Sequence, residues 1–376
     1  MLGRRQVVMG AAAAVGSAMI APLLAAASAQ WRTISPSDAG FASDLAARLD
    51  TLISSGRAWK LHSVVIVRKG AVVLERYDAG EDEIWGRSIG RVAFGPDTLH
   101  DLRSVTKSIL GLLYGIALAQ GKVPPPERPL LEAFPEYADL ATDPRHHRLT
   151  IAHALTMSLG FEWNEEIPYQ DPANSEIQME RSPDRYRYIV GRPFMAEPGG
   201  RWIYGAAATT LIGRLIQKGT GQSLPDFARA ALFDPIGIGA TVWTNGLNGE
   251  PAASSGLRMT PRDLARIGQL ILNRGQWEGR AVVPAEWLEK SFQPYLSADE
   301  FRRYGYFWYV GDFQYGNPPN RPIARWIGAF GYGGQRLFVL PDLDIAVAIT
   351  AGNYTDRNQW MPPIRVMREV VLPSLL

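Results

Sequence analysis

Ser104-Val105-Thr106-Lys107 sets a nucleophile and a base one helical turn apart. Residues three apart share a helix face, so the Lys107 amine would stand beside the Ser104 hydroxyl. With 20 serines and six lysines in 376 residues, chance supplies about 0.3 such pairs, and this chain holds one. Residues Ser108 to Ala119 carry no charge and are apolar nearly all round, which predicts a buried helix. Burial penalises an ammonium, which makes Lys107 a candidate general base for the hydroxyl. A serine at the helix start would also offer its backbone N–H to a developing oxyanion. Taken alone, the tetrapeptide fits an ordinary helix start with a snorkelling lysine equally well.

Two further segments carry groups of the right kind. Pro198-Gly199-Gly200-Arg201-Trp202-Ile203-Tyr204-Gly205 leads into an apolar helical stretch, which puts Tyr204 at a loop–helix junction. A tyrosine beside a lysine can relay a proton to a leaving group. Gly328-Ala329-Phe330-Gly331-Tyr332-Gly333-Gly334-Gln335 runs straight into a strand-like segment, and glycines there let a substrate approach backbone N–H groups. Standing alone, Tyr204 reads as a packed aromatic and the second segment as a glycine-rich turn.

These groups need elements to hold them. Residues 63–77 read as a β-hairpin turning at Lys69-Gly70, preceded by a helix from about Phe41 to Ser54. The middle is helical: Ile151–Met157, Thr209–Lys218, Leu224–Leu232 and Pro261–Asn273. Strands return at Tyr306–Val310, Ala324–Ile327, Arg336–Val339 and Ile345–Thr350, and a helix from about Pro363 to Val371 follows. Strands at both ends with helices between them predict an α+β fold, one antiparallel sheet assembled from both termini with a helical region inserted. A site is expected in the cleft between the lobes.

In this order, the three segments resemble the serine hydrolases related to class C β-lactamases and penicillin-binding proteins. The resemblance spans about residues 35 to 370, and Leu149–Phe161 and Ser255–Leu264 also match stretches these families carry. It is nearest to the branch of 6-aminohexanoate-dimer hydrolase and family VIII carboxylesterases, with Asp171–Ser175 and Pro183–Tyr186 in the variable cleft-lining region. The resemblance implies a β-lactamase/transpeptidase-like fold: an α/β lobe at about 35–120 and 262–376, and a helical region at about 121–261. It also implies Ser104 as nucleophile, Lys107 as its base-side partner and Tyr204 as acid/base relay. The backbone N–H groups of Ser104 and Gln335 would form the oxyanion hole, flanked by Tyr332, Gly333 and Gly334. Which of Lys107 and Tyr204 takes the first proton stays open, because so close a pair titrates together.

Departures from the family pattern bear on substrate. Tyr204-Gly205-Ala206 lacks the amide of the Tyr-x-Asn motif, and Tyr332-Gly333-Gly334 lacks the cation and hydroxyl that would grip a β-lactam carboxylate. Arg336 could substitute, and Tyr169 and Trp163 are candidates for an acyl pocket. Ester or linear-amide hydrolysis therefore fits better than β-lactam hydrolysis. The rivals are a β-lactamase or D-amino-acid peptidase, and a non-catalytic binding protein that retains the fold.

Composition excludes other chemistry. The chain has no cysteine, hence no disulfide, thiol nucleophile or cysteine-bound metal. Net charge is +2 without a basic stripe, which argues against nucleic-acid binding. The histidines show no metal-ligand spacing, and no cofactor is implied; the expected partner is a small ester or amide. Gly86-Arg87-Ser88-Ile89-Gly90 mimics a nucleophile elbow but lacks the flanking strand and helix, so Ser88 is expected in a loop. Glu162, Glu165 and Glu166 cluster after Gly160, and a solvated loop explains them as well as catalysis does. Residues 1–29, with Arg4-Arg5, an Ala-rich apolar stretch and Ala27-Ser28-Ala29, read as a twin-arginine-like export signal, which implies a periplasmic protein without stable membrane association once cleaved.

Overall fold

A computed structural model describes residues 31–376 apart from 170, 317, 318 and 320. The expected export signal lies outside the described residues. The main sheet has eight antiparallel strands in the order Leu296–Ser297, Arg303–Tyr304, Tyr309–Gln314, Ile323–Gly331, Gln335–Leu340, Ile345–Ala351, Leu61–Arg68, Ala71–Tyr77. The N-terminal hairpin thus pairs with the last strand, Val65 opposite Ala348, and joins the two ends of the chain in one sheet. This is the single antiparallel sheet assembled from both ends of the chain, with helices between, that the sequence predicts.

Both faces of the central strands are covered, so their burial is continuous and only the alternation of side chains tells the faces apart. Val64, Ile66, Val347 and Ile349 pack with helix Leu45–Ser54 and the C-terminal segment Met361–Val371. Val65, Val67, Ala346 and Ala348 face the other way, into the core shared with the helical lobe. Small residues on that face let helix Pro261–Leu272 lie close: a Cβ on Gly268 would fall 2.7 Å from that of Ala346.

Helix Val105–Ala119 passes through this second core, with every residue from Val105 to Ala117 buried. Gly115 makes room for Trp287, whose indole N–H donates to the Gly111 carbonyl at 2.9 Å, and Gly111 itself packs against Tyr306 and Phe307. The helical lobe supplies Ile151–Leu155, Ser175–Arg181, Arg185–Val190 and Ala206–Thr220. Asn174 caps the second of these and Asp184 the third, each accepting two backbone N–H groups.

Element edges differ from expectation where backbone geometry intervenes. Strand Tyr309–Gln314 begins three residues late because Phe307 adopts φ +62°, a turn that no apolar pattern announces. Ser88 lies in strand Arg87–Ala93 of a small hairpin and not in a loop. It is exposed there, and no helix follows it.

Candidate active site

The short strand His100–Asp101 delivers the chain to Ser104, and Arg103 just before it has φ +50°, a left-handed conformation that costs energy for an arginine. Local partners hold it. The Arg103 guanidinium pairs with Glu83 and Asp101 and lies over the Tyr354 ring. Ser104 stands outside the first turn of the helix, where an amide has no intrahelical acceptor. Lys107 is 2 % exposed, and its Nζ donates to Ser104 Oγ at 3.0 Å and to the Ser254 carbonyl at 3.1 Å. The helix start is tied to that neighbouring segment as well, since the Leu257 N–H donates to Thr106 Oγ1 at 3.2 Å.

Tyr204 precedes helix Ala206–Thr220 by two residues, and the extended Gly205 between them rests on Trp163. Lys107 Nζ lies 4.9 Å from the Tyr204 ring centroid, and Ser104 is near enough to act on the phenol. Burial, reinforced by the charge of Glu165, pushes the phenol pKa well up, and Ser104 beside it pulls the other way. Tyr204 is therefore protonated at neutral pH, and the structure brings Ser104, Lys107 and Tyr204 together from segments a hundred residues apart.

The hairpin between strands Ile323–Gly331 and Gln335–Leu340 forms the opposite edge. Gly331 admits no side chain, because a Cβ there would fall 2.3 Å from the Leu102 carbonyl. This close approach sets the start of the next strand beside the nucleophile segment. Gly334 has φ +100°, a turn that favours glycine. The Gln335 side chain is fully buried and bonded to Tyr332 and Ala351. Only its backbone could serve a substrate.

Three expectations need correction. The Gly333 N–H donates to the Gln359 side chain and so is engaged within the protein. Trp163 is buried beneath Gly205, its indole N–H on Glu165 Oε2 at 2.8 Å, and supports the junction without lining an acyl pocket. Arg336 is also buried, donating to the Gly331 and Gln335 carbonyls at 2.7 Å each and covering the Phe330 ring. It braces the hairpin, and burial lowers its pKa to about 10. Tyr169 and Tyr332 remain open to solvent and meet edge-on at 6.4 Å, one from each lobe.

Sequence reasoning missed the groups behind Lys107. Glu162 and Glu166 are exposed, as a solvated loop requires, but Glu165 turns inward and accepts from the Ala206 N–H at 2.7 Å. Burial, with Glu176 close by, pushes its pKa to about 7. No local pattern separates Glu165 from its two neighbours. The fold also gathers His62, Asp82 and His100 into a buried group able to hold a metal ion, which their sequence spacing conceals. Here His62 Nδ1 and His100 Nε2 bond to each other at 2.9 Å, and Asp82 accepts from the Tyr354 hydroxyl at 2.7 Å. A surface cavity of about 690 Å³ opens elsewhere, beside Trp31, Arg266 and Trp277, and contains none of the residues around Ser104.

A family model described as Beta-lactamase matches residues 58–365. The chain is 25 % identical over 343 residues to 6-aminohexanoate-dimer hydrolase of Paenarthrobacter ureafaciens, covering 84 % of this chain and 79 % of that one. A Bacillus anthracis structure provisionally assigned to the same activity superposes with a TM-score of 0.68 at 21 % identity, covering 88 % and 84 % of the two chains. A class C beta-lactamase mutant superposes with a TM-score of 0.64 at 16 % identity, covering 88 % and 97 %.

Proposed function

The chain belongs to the beta-lactamase family, and on that footing we propose that it is a serine hydrolase cleaving carboxylic esters or linear amides through an acyl-enzyme on Ser104. The observation that carries this reading is the 3.0 Å contact between Lys107 Nζ and Ser104 Oγ, with the Tyr204 ring centroid 4.9 Å from the same Nζ. Ser104 Oγ attacks the carbonyl carbon as its proton passes to Lys107. The oxyanion is received by the backbone N–H groups of Ser104 and Gln335. Tyr204, held protonated by burial, gives its proton to the departing oxygen or nitrogen and is resupplied from Lys107. Water then attacks the acyl carbon by the same route in reverse, and Ser104 is restored.

The relative hydrolysing the 6-aminohexanoate dimer supports linear amides within the substrate class. The commitment of Arg336 to backbone carbonyls supports the preference over β-lactams, because it withdraws the cation that could have gripped their carboxylate. Intact-mass spectrometry after a fluorophosphonate probe, with peptide mapping and p-nitrophenyl butyrate turnover, tests the reading. One adduct on Ser104 and loss of both signals in Ser104→Ala are expected. Turnover retained by a folded Ser104→Ala would sink it, and rapid nitrocefin hydrolysis would favour the β-lactamase rival.

A further inference from the structure

Two carboxyl groups of the helical lobe close the rear of the site. Glu176, in helix Ser175–Arg181, is buried and accepts from the Ser254 hydroxyl at 3.1 Å. The carbonyl of the same Ser254 accepts from Lys107 Nζ at 3.1 Å. An unbroken path of contacts thus runs from Glu176 through Ser254 to Lys107 and on to Ser104. Glu165 reaches the same place from its loop: Oε2 accepts from the Ala206 N–H at 2.7 Å and from the Trp163 indole at 2.8 Å. It fixes the start of the helix that follows Tyr204, and its charge acts on Lys107 and Tyr204 alike.

Resting on the reading that Lys107 receives the Ser104 proton, we propose that Glu165 and Glu176 are positioning residues of this reaction. Glu176 holds Lys107 through Ser254, and ionised Glu165 stabilises the ammonium that forms as Ser104 attacks. The proton moves from Oγ to Nζ, and neither carboxylate takes it up. A buried carboxylate steadying a transient cation is the role the aspartate plays in a Ser-His-Asp triad.

The arrangement predicts a pH dependence of known sign. Glu165 faces Glu176, which resists its ionisation, and Lys107, which favours it. The Tyr169, Tyr204 and Tyr304 phenols are also within its field, and all three are held neutral by pKa values pushed well up. Burial is the largest influence and pushes the Glu165 pKa up to about 7. Activity therefore rises through that pH.

The test is the profile of kcat/KM for p-nitrophenyl butyrate from about pH 5.5 to about 9 in the full chain, with Glu165→Gln and Glu176→Gln. A glutamine oxygen at 165 can still accept from Ala206 and Trp163, so a purely structural role would survive. In Glu165→Gln the rise through pH 7 should vanish, kcat at pH 8 should fall about tenfold or more, and Tm should hold. In Glu176→Gln the opposing charge is gone, so the rise should move to lower pH. A wild-type profile flat through pH 7, or a Glu165→Gln profile with the wild-type midpoint, overturns the proposal. If Glu165→Gln does not fold, Glu176→Gln decides, and an unmoved midpoint overturns it. Absence of wild-type turnover and of Ser104 labelling would instead overturn the hydrolase reading itself.

Discussion

The two walls of the site are built on different terms. On the α/β side, Ser104 and Lys107 share one turn of a helix buried from Val105 to Ala117, and Gln335 is locked by three hydrogen bonds of its own side chain. On the helical side, Tyr204, Glu165 and Tyr169 come from loops and junctions, and Tyr169 is 41 % exposed. The first wall holds groups that any acyl transfer by a serine requires, and rigid elements fix them to a fraction of an ångström. The second meets what varies between substrates, and loops tolerate that variation. One chain can thus keep its reaction while its substrate changes.

Substitutions can break or sharpen this division. Lys107→Met should have the largest effect, slowing fluorophosphonate labelling of Ser104 by about 10³-fold on every substrate. A loss confined to one substrate class would break the comparison. Tyr204→Phe should be selective. A linear amide, whose nitrogen must be protonated to leave, should slow by about 100-fold, and a p-nitrophenyl ester by less than about tenfold. Equal losses on both, measured by steady-state kinetics, would place Tyr204 with the first wall.

Stability should divide differently. Leu110→Ala, in the fully buried helix, should cost about 2–5 kcal/mol in denaturant unfolding and leave KM unchanged in the folded fraction. The support of the first wall should also respond to acid. Burial lowers the pKa of His62 and His100 in the folded chain, His62 to about 3 from an ordinary 6.5. Their contribution is present above 6.5 and is lost as pH falls from there toward 3, because the unfolded chain then binds more protons. The fall of Tm with acid should be shallower in a His62→Gln, His100→Gln double variant; an unchanged slope would discard this account. Tyr332→Ala should do least, altering acyl-chain preference by less than about tenfold with Tm held, since the ring is exposed and lies edge-on to Tyr169 and tilted against Tyr354.

The sequence by itself determined what is local or periodic. Ser104 and Lys107 were legible because three residues make nearly one helical turn, and the hairpin at Lys69-Gly70 because strand and turn residues alternate there. The uncharged run announced its own burial, which extends to Ala117. Tertiary structure decided which of three neighbouring glutamates turns inward, that Ser254 offers its carbonyl to Lys107, and that Trp163 and Arg336 are buried and bonded within the protein. It also brought His62, Asp82 and His100 together. The physical reason is common to all of these: their partners lie far away along the chain, and a side chain's direction follows from packing that no short window of sequence contains.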